Sequence, residues 1–316
     1  MDVEEEDFIE VPEEIRQHAM EGRFRYHAYG SSTYAFPNDD IEQSCDEEIY
    51  QSSLMLCGGT HHLAPVADAL SVPGSRVLDL GTGTGLWSLE MGDKYPNAKF
   101  LGIDISPIQP TLVPQNVKFL VADIEQDLDV DKSCYDYLHI RHTIHAIKDK
   151  SKLIKDVYRL LKPGGWVEFH GLDHIPHCDD NSPAPDIPYA IGDLAEYLTT
   201  GIKQCSGTDF NAITHVASMM ALAGFDGVTS DVRKLPLGGW PQDATMRRCG
   251  LHTLSVFLRG LRGKCARAMG PNGLQWREEE IEAFLILCRR DAGDPRYHTW
   301  FPYHIVCGRK PFVSNL

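Results

Sequence analysis

The sequence predicts an α/β domain built on a mainly parallel β-sheet. Three observations lead there. Short apolar runs alternate with helical stretches between residues 76 and 172. A tight glycine bend, Gly81-Thr82-Gly83-Thr84-Gly85, follows the first run. Single carboxylates, Asp104 and Asp123, follow the second and third runs. Strands alternating with helices form βαβ units, and those units make parallel sheets.

The elements follow in order. Residues 76–80, apolar and bounded by the glycine bend, read as a buried strand, and 86–94 as a helix. Residues 98–105, 117–121 and 135–140 read as the second, third and fourth strands. Between the second and third, Pro107, Pro110 and Pro114 replace the usual crossover helix with an extended segment. Proline lacks an N–H and clashes with the preceding helical turn. Residues 152–161 are helical, stopped by Pro163-Gly164-Gly165, and 166–171 form a fifth strand. Ile191, Leu194, Ala195 and Leu198 mark one helix face; residues 213–223, ended by Gly224, mark another helix. Residues 228–235 read as a sixth strand. Leu251, Leu254, Leu258 and Leu261 recur at helical spacing, as do Ile281, Phe284, Leu285 and Cys288. Residues 300–308 form the last strand, with Pro302 expected at its start or edge.

Upstream, residues 46–70 read as helical, with Leu54, Leu56, Leu63 and Val66 on a buried face. Residues 15–45 carry aromatic side chains outside any periodic pattern, suited to packing over something. Residues 1–14 carry eight acidic side chains and are expected to be a solvated, mobile tail. No linker separates a second independent domain.

Composition narrows the function. The 316 residues hold 30 Lys and Arg against 45 Asp and Glu, a formal charge of −15. Such a chain is poorly suited to phosphate backbones or anionic membranes, so no direct nucleic-acid contact is expected. No apolar run approaches the roughly 20 residues of a membrane span, so no insertion is expected. The acidic N-terminus is unlike a secretory signal. Nine cysteines without a Cys-x-x-Cys pair point to a reduced protein of the cytoplasm, the nucleus or both.

The glycine bend carries the chemistry. A dinucleotide fingerprint is Gly-x-Gly-x-x-Gly, whereas here the spacing is one residue short. Asp79, two residues before Gly81, would repel pyrophosphate; it suits a cationic ligand or the loop amides. Asp104, 19 residues after Gly85, is placed to accept hydrogen bonds from both ribose hydroxyls. Asp123 suits an adenine amino group, with Ile124 lying on the ring. These features describe a phosphate-free nucleoside with a positively charged arm, and S-adenosylmethionine fits.

Four segments resemble the successive motifs of class I S-adenosylmethionine-dependent methyltransferases. They are Val77 through Gly85, Gly102-Ile103-Asp104, Val121-Ala122-Asp123-Ile124, and Leu161-Lys162-Pro163-Gly164-Gly165-Trp166. Tyr26-His27-Ala28-Tyr29, Phe36-Pro37-Asn38-Asp39 and His62-Leu63-Ala64-Pro65 are similar to the fungal LaeA-like methyltransferases, regulators and tailoring enzymes of secondary metabolism. The resemblance implies a Rossmann-like sheet of seven strands, mainly parallel, with an antiparallel last strand. It implies an N-terminal lid and helices over 15–70, and a methyltransferase domain over 71–316 with a helical insertion at about 236–298. It places Asp79, Gly81, Thr82, Gly83 and Gly85 at the methionine end of the cofactor. Asp104 with Ile105 would hold the ribose, and Asp123 with Ile124 the adenine. Arg141 would contact cofactor or substrate, and Tyr26 and Tyr34 would belong to the lid.

Methyl transfer from a sulfonium needs a base only if the nucleophile arrives protonated. His142 and His145, after the fourth strand, are the candidates; the rival reading is a structural pair at a helix start. His170, His174, His177 and Cys178 are metal-ligand types without metal-ligand spacing, so no metal is expected. The expected function is methylation of a small metabolite at O, N or S. The alternative is a regulatory S-adenosylmethionine-binding subunit that works with another methyltransferase-like chain and methylates a protein or nothing.

Overall fold

The structure, a computed structural model, describes residues 12–29, 34–128, 130–180 and 187–312. Residues 1–11 of the acidic segment therefore lie outside the described residues.

The described chain opens with α1 (Glu13–Arg16), a hairpin of β1 (Ala19–Glu21) and β2 (Phe24–Tyr26), and α2 (Asp40–Leu56). Asp39 starts α2 by accepting a hydrogen bond from the Glu42 amide, and Asp40 and Glu42 complement the helix dipole. The expected helix over 46–70 is corrected. It begins earlier and stops at Leu56, and only α3 (Ala67–Leu70) resumes it. Gly58 and Gly59, at φ 65° and 80°, turn the chain out of the helix. The amides of Leu63 and Ala64 then donate to the buried carboxylate of Glu168, at 2.9 and 2.7 Å. Those bonds hold the segment across the sheet instead of along a helix.

The core follows as β3 (Arg76–Leu80), α4 (Leu86–Lys94), β4 (Lys99–Asp104), β5 (Val117–Val121), β6 (Tyr135–Arg141), α5 (Lys150–Leu160) and β7 (Leu161–Leu172). Then come β8 (His177–Cys178), α6 (Ala190–Ser206), α7 (Val216–Leu222), β9 (Asp226–Pro236), α8 (Ala244–Met269), α9 (Glu278–Ala292) and β10 (Thr299–Arg309). No helix joins β4 to β5, where the three prolines stand. The sheet runs β5-β4-β3-β6-β7-β10, with β9 also on β10. β3 to β7 are mutually parallel, and β10 runs antiparallel to β7 and β9. Trp300 pairs with His177 on one side and Pro236 on the other, so β8 prolongs β7. The sheet thus has seven principal strands and a two-residue extension. Chain direction across the sheet reverses between β3 and β6, and ligands of such sheets bind outside the carboxyl ends of those strands.

Two details depart from the sequence reading. Pro302 sits within β10, between two neighbours, rather than at its start or edge. Its carbonyl accepts from the Asp173 amide, so its N–H-less side faces the break between β7 and β8. On α8, Leu251 and Leu258 are 50% and 37% exposed, while Thr253, Val256 and Leu261 are buried. The packed face is set by close approach: a Cβ on Gly250 would lie 2.1 Å from the Gly238 carbonyl oxygen.

Strand alternation divides the core. Leu78, Leu80, Leu138 and Ile140 pack on one face with α5 and α7, whereas Val77, Phe100, Tyr137 and Tyr303 pack on the other with Trp87 and Met91 of α4. A third cluster joins Leu194 and Leu198 of α6, Leu261 and Cys265 of α8, and Ile281 and Leu285 of α9 to Phe36. This helical layer roofs the carboxyl edge of the sheet.

Candidate functional site

The glycine bend is a backbone feature before it is a binding feature. Gly81, Gly83 and Gly85 have φ of 76°, 59° and 82°, a region costly for residues with a Cβ. A Cβ on Gly81 would lie 2.1 Å from Thr143 Oγ1, and one on Gly85 2.3 Å from the Phe119 ring. Asp79 anchors the bend from beneath. Its Oδ2 accepts from Thr82 Oγ1 at 2.6 Å and Ser88 Oγ at 2.8 Å, and its Oδ1 from His139 Nδ1 at 2.8 Å. His139 lies flat on Trp87, 3.8 Å between ring centroids. Burial alone would raise the Asp79 pKa; the hydrogen bonds from His139, Thr82 and Ser88 outweigh it and hold the carboxyl below its usual range. Burial lowers that of His139, so the pair is a carboxylate accepting from a neutral imidazole.

Above the bend lies a cavity of about 290 Å³ that runs from the carboxyl ends of β3, β4 and β6 to beneath α6 and α8. Of the residues expected at the cofactor, Gly81, Gly83, Asp104, Ile105, Asp123, Ile124, Arg141 and Tyr34 line it, and so do His142 and His145. Four do not line it. The Asp79 carboxylate is enclosed by its three partners. Thr82 points its hydroxyl at Asp79. Gly85 backs onto Phe119. Tyr26 is buried against Arg267, whose guanidinium carbon is 3.6 Å from the ring centroid.

Asp104 ends β4. Its Oδ2 accepts from the Gly83 amide and its Oδ1 from the Ser106 amide, both at 2.8 Å. Burial pushes its pKa up to about 6, the two amides oppose that, and Asp46 and Asp79 add to it. Asp46 belongs to α2 and hangs over the bend: a Cβ on Gly83 would lie 3.0 Å from its Oδ2. Arg141 Nη2 is 3.9 Å from the same oxygen, and the guanidinium stacks 4.7 Å from the Tyr50 ring centroid. Arg141 Nε and Nη1 are buried with no hydrogen-bond partner among the described residues. Leaving such donors unpaired costs roughly 1–3 kcal/mol each.

Sequence reasoning missed Asn38, Gln43 and Asp46, which line the cavity. A signal existed: Asp39 before the α2 periodicity reads as an N-cap, and positions 42, 43 and 46 then share one helix face. The far end of the cavity is walled by Leu194 and Leu198 of α6 and by Val256, Phe257 and Leu261 of α8. There Lys264 Nζ donates to Glu42 Oε1 at 2.7 Å.

Three histidines stand at that end. His142 has φ 51°, and its amide donates to the His170 carbonyl at 2.9 Å. His145 lies in a 3-10 turn, Ile144–Ala146, and His174 lies flat on Phe210 at 3.6 Å. Burial, then the charge of Arg141, holds His142 well below the usual imidazole range. Burial, then Lys264 and Lys150, takes His145 down to about 3. Burial and His145 lower His174 likewise. All three rings are neutral near pH 7. Among the described residues no three His, Cys, Asp or Glu side chains are grouped to hold a metal ion. His170 instead bonds Glu168 and Tyr303, and His177 stacks on Trp300.

The arrangement fits S-adenosylmethionine. Arg141 has free donors for the methionine carboxylate and Asp46 a carboxylate for the ammonium. Asp104 can exchange amide donors for ribose hydroxyls. Ile105 and Ile124 offer aliphatic surface to the base and Asp123 an acceptor to its amino group.

Comparison with known proteins agrees. A family model described as a methyltransferase domain matches residues 55–229. The chain is 34% identical to the methyltransferase pytC of Aspergillus terreus, over 91% of this chain and 86% of that protein. It is 30% identical to the secondary metabolism regulator LAE1 of Cochliobolus heterostrophus, over 96% and 98%. It is 26% identical to the protein-methionine methyltransferase laeA of Emericella nidulans, over 93% and 76%. Among solved structures it is similar to a Haemonchus contortus phosphoethanolamine N-methyltransferase, with 15% identity and a TM-score of 0.48, over 91% of this chain and 62% of that one. With its glycine bend, its carboxylate-tipped strands and these relatives, the chain belongs to the S-adenosylmethionine-dependent methyltransferases, as a LaeA-like member.

Proposed function

We propose that the protein methylates a small molecule held in the apolar end of the cavity, in the chemistry of fungal secondary metabolism. The observation that carries this reading is continuity: one cavity joins the glycine bend to the chamber under α6 and α8. The bound cofactor supplies an electrophilic methyl group on a sulfonium. The protein's part is to hold an acceptor in line with that methyl group and to exclude water. Arg141 and Asp46 grip the methionine arm, and Asp104 fixes the ribose. The roof of α6 and α8 side chains shapes the acceptor's space. The compartment we propose is the cytoplasm or nucleus, in keeping with nine free cysteines.

The relatives named as regulators, and the one named as a protein-methionine methyltransferase, favour a second reading. In it the chain methylates a protein, or joins another methyltransferase-like chain and turns over no small molecule. One experiment separates the two. The purified chain receives methyl-labelled S-adenosylmethionine with either a fungal metabolite extract or a protein lysate. Label in the extract supports the proposal. Label confined to protein, or stoichiometric association with a second chain and no labelled metabolite, supports the regulatory reading.

A further inference from the structure

The chemistry of the acceptor can be read from the chamber, an inference that rests on the small-molecule methyltransferase reading above. Three imidazoles reach its wall, His142 from the end of β6, His145 from the following turn and His174 from beyond β7. His142 Nε2, His145 Nε2 and His174 Nδ1 are each buried with no hydrogen-bond partner among the described residues. The two lysines nearby are already engaged: Lys264 is bonded to Glu42 and Lys150 to the Ile147 carbonyl. The surroundings are largely aromatic and flat. His174 is stacked on Phe210, and Phe36 and Phe210 flank His145 with ring centroids at 5.6 and 5.8 Å.

Buried polar atoms in native proteins are nearly always paired, with protein or with water. Water takes such positions in an empty chamber, and a ligand that displaces it must replace its hydrogen bonds. A neutral imidazole offers one lone pair and one N–H, and no charge. A hydroxyl both donates and accepts, so it matches either ring nitrogen in either tautomer. A carboxylate or ammonium would lose its hydration against neutral rings, with Lys264 and Lys150 already engaged. A thioether accepts too weakly to replace the water.

We infer that the acceptor is a neutral, flat, hydroxylated molecule, a phenol or an enol, whose hydroxyls bond to these histidines and whose oxygen receives the methyl group. His142 takes the proton. Between Arg141 and Thr143, whose side chain abuts Gly81, it lines the cavity with both. Its left-handed backbone is strained for a residue with a Cβ, and such strain persists where the fold holds a side chain in a required place. In the step, oxygen bonds to the methyl carbon and the C–S electron pair remains on sulfur. The sulfonium becomes a thioether, and the hydroxyl proton passes to His142 Nε2 and on to water. A weak base suffices, because the hydroxyl proton becomes strongly acidic as the C–O bond forms.

The test uses the full chain and three probes: naphthalene, 2,7-dihydroxynaphthalene and naphthalene-2-thiol. In calorimetry with saturating S-adenosylhomocysteine, the diol binds at least tenfold tighter than naphthalene. With methyl-labelled S-adenosylmethionine, label appears on the diol oxygen. His142→Gln lowers turnover at least tenfold while KM for the diol changes less than threefold; His174→Phe raises KM instead. Equal binding of diol and naphthalene overturns the inference, as does label on the thiol or on protein with none on the diol. The two readings fail separately. A wild-type chain that does not bind S-adenosylhomocysteine defeats the methyltransferase reading itself. One that binds it but gains nothing from the hydroxyls defeats only the acceptor assignment.

Discussion

The two ends of the cavity are built in opposite ways. At the glycine bend the protein's polar groups are mostly paired before any ligand arrives: Asp104 holds the Gly83 and Ser106 amides, and Asp79 holds Thr82, Ser88 and His139. Under α6 and α8 one ring nitrogen on each of three histidines is buried and unpaired among the described residues. A shape kept by internal bonds suits a ligand that never changes. Unpaired atoms on an apolar wall suit a ligand that supplies the missing bonds. Arg141 is the exception at the bend, since its Nε and Nη1 are buried and unpaired among the described residues, which suits the methionine arm proposed to lie there.

On the proposed function Asp79 is structural and Asp104 faces the ligand, and mutations can break that contrast. The largest effect is expected from Asp79→Asn, which leaves buried partners mismatched. It should lower unfolding stability by about 3 kcal/mol, as losing hydrogen bonds to a buried charged acceptor does, read as a shift in urea midpoint. A loss below about 1 kcal/mol, within the ordinary range for a single neutral hydrogen bond, would return Asp79 to the ligand site. Gly83→Val should weaken S-adenosylhomocysteine binding more than about 100-fold, some 2.7 kcal/mol, because its side chain enters the space below Asp46. An unchanged calorimetric titration would remove the bend from the site. Arg141→Gln should lower affinity for S-adenosylhomocysteine about tenfold, roughly 1.4 kcal/mol, and leave 5′-methylthioadenosine, which lacks the amino-acid arm, unaffected. Equal losses for both ligands would show that Arg141 does not read the carboxylate.

The mildest prediction is in pH. The folded pKa of Asp104 is raised to about 6, above its ordinary 3.8. The folded, ligand-free protein therefore prefers the protonated acid. Its contribution to stability is fully present below the unfolded value and is lost as pH rises through about 6. Ribose hydroxyls donate to the ionised form, so S-adenosylhomocysteine should bind more tightly as pH rises from 5 to 7, then level off. Asp104→Asn should flatten that rise; a profile identical to wild type would mean another group titrates.

Much of the cofactor end was legible because its parts are local. A strand, a bend and a carboxylate lie within a few residues of each other, and the strand period fixes which way each points. Spacing left Asp79 open between a cationic ligand and the loop amides, and only the neighbouring strand showed that His139 encloses it. Tyr26, expected in the lid, is covered by Arg267, 241 residues away, which no local pattern could show. The helix over 46–70 failed because apolar spacing outweighed Gly58 and Gly59, whose left-handed backbone ends a helix.

The amino-acid order by itself determined the parallel sheet, the proline-rich crossover, the glycine bend and the acids that tip β4 and the turn after β5. Each depends on steric and hydrogen-bonding preferences that act over a few residues. Only the tertiary structure decided that α2 brings Asp46 over Gly83, that α6 and α8 roof the chamber, and that three histidines meet it, each with one nitrogen unpaired among the described residues. Those juxtapositions arise from apolar burial between distant segments, which is non-directional and leaves no spacing to read.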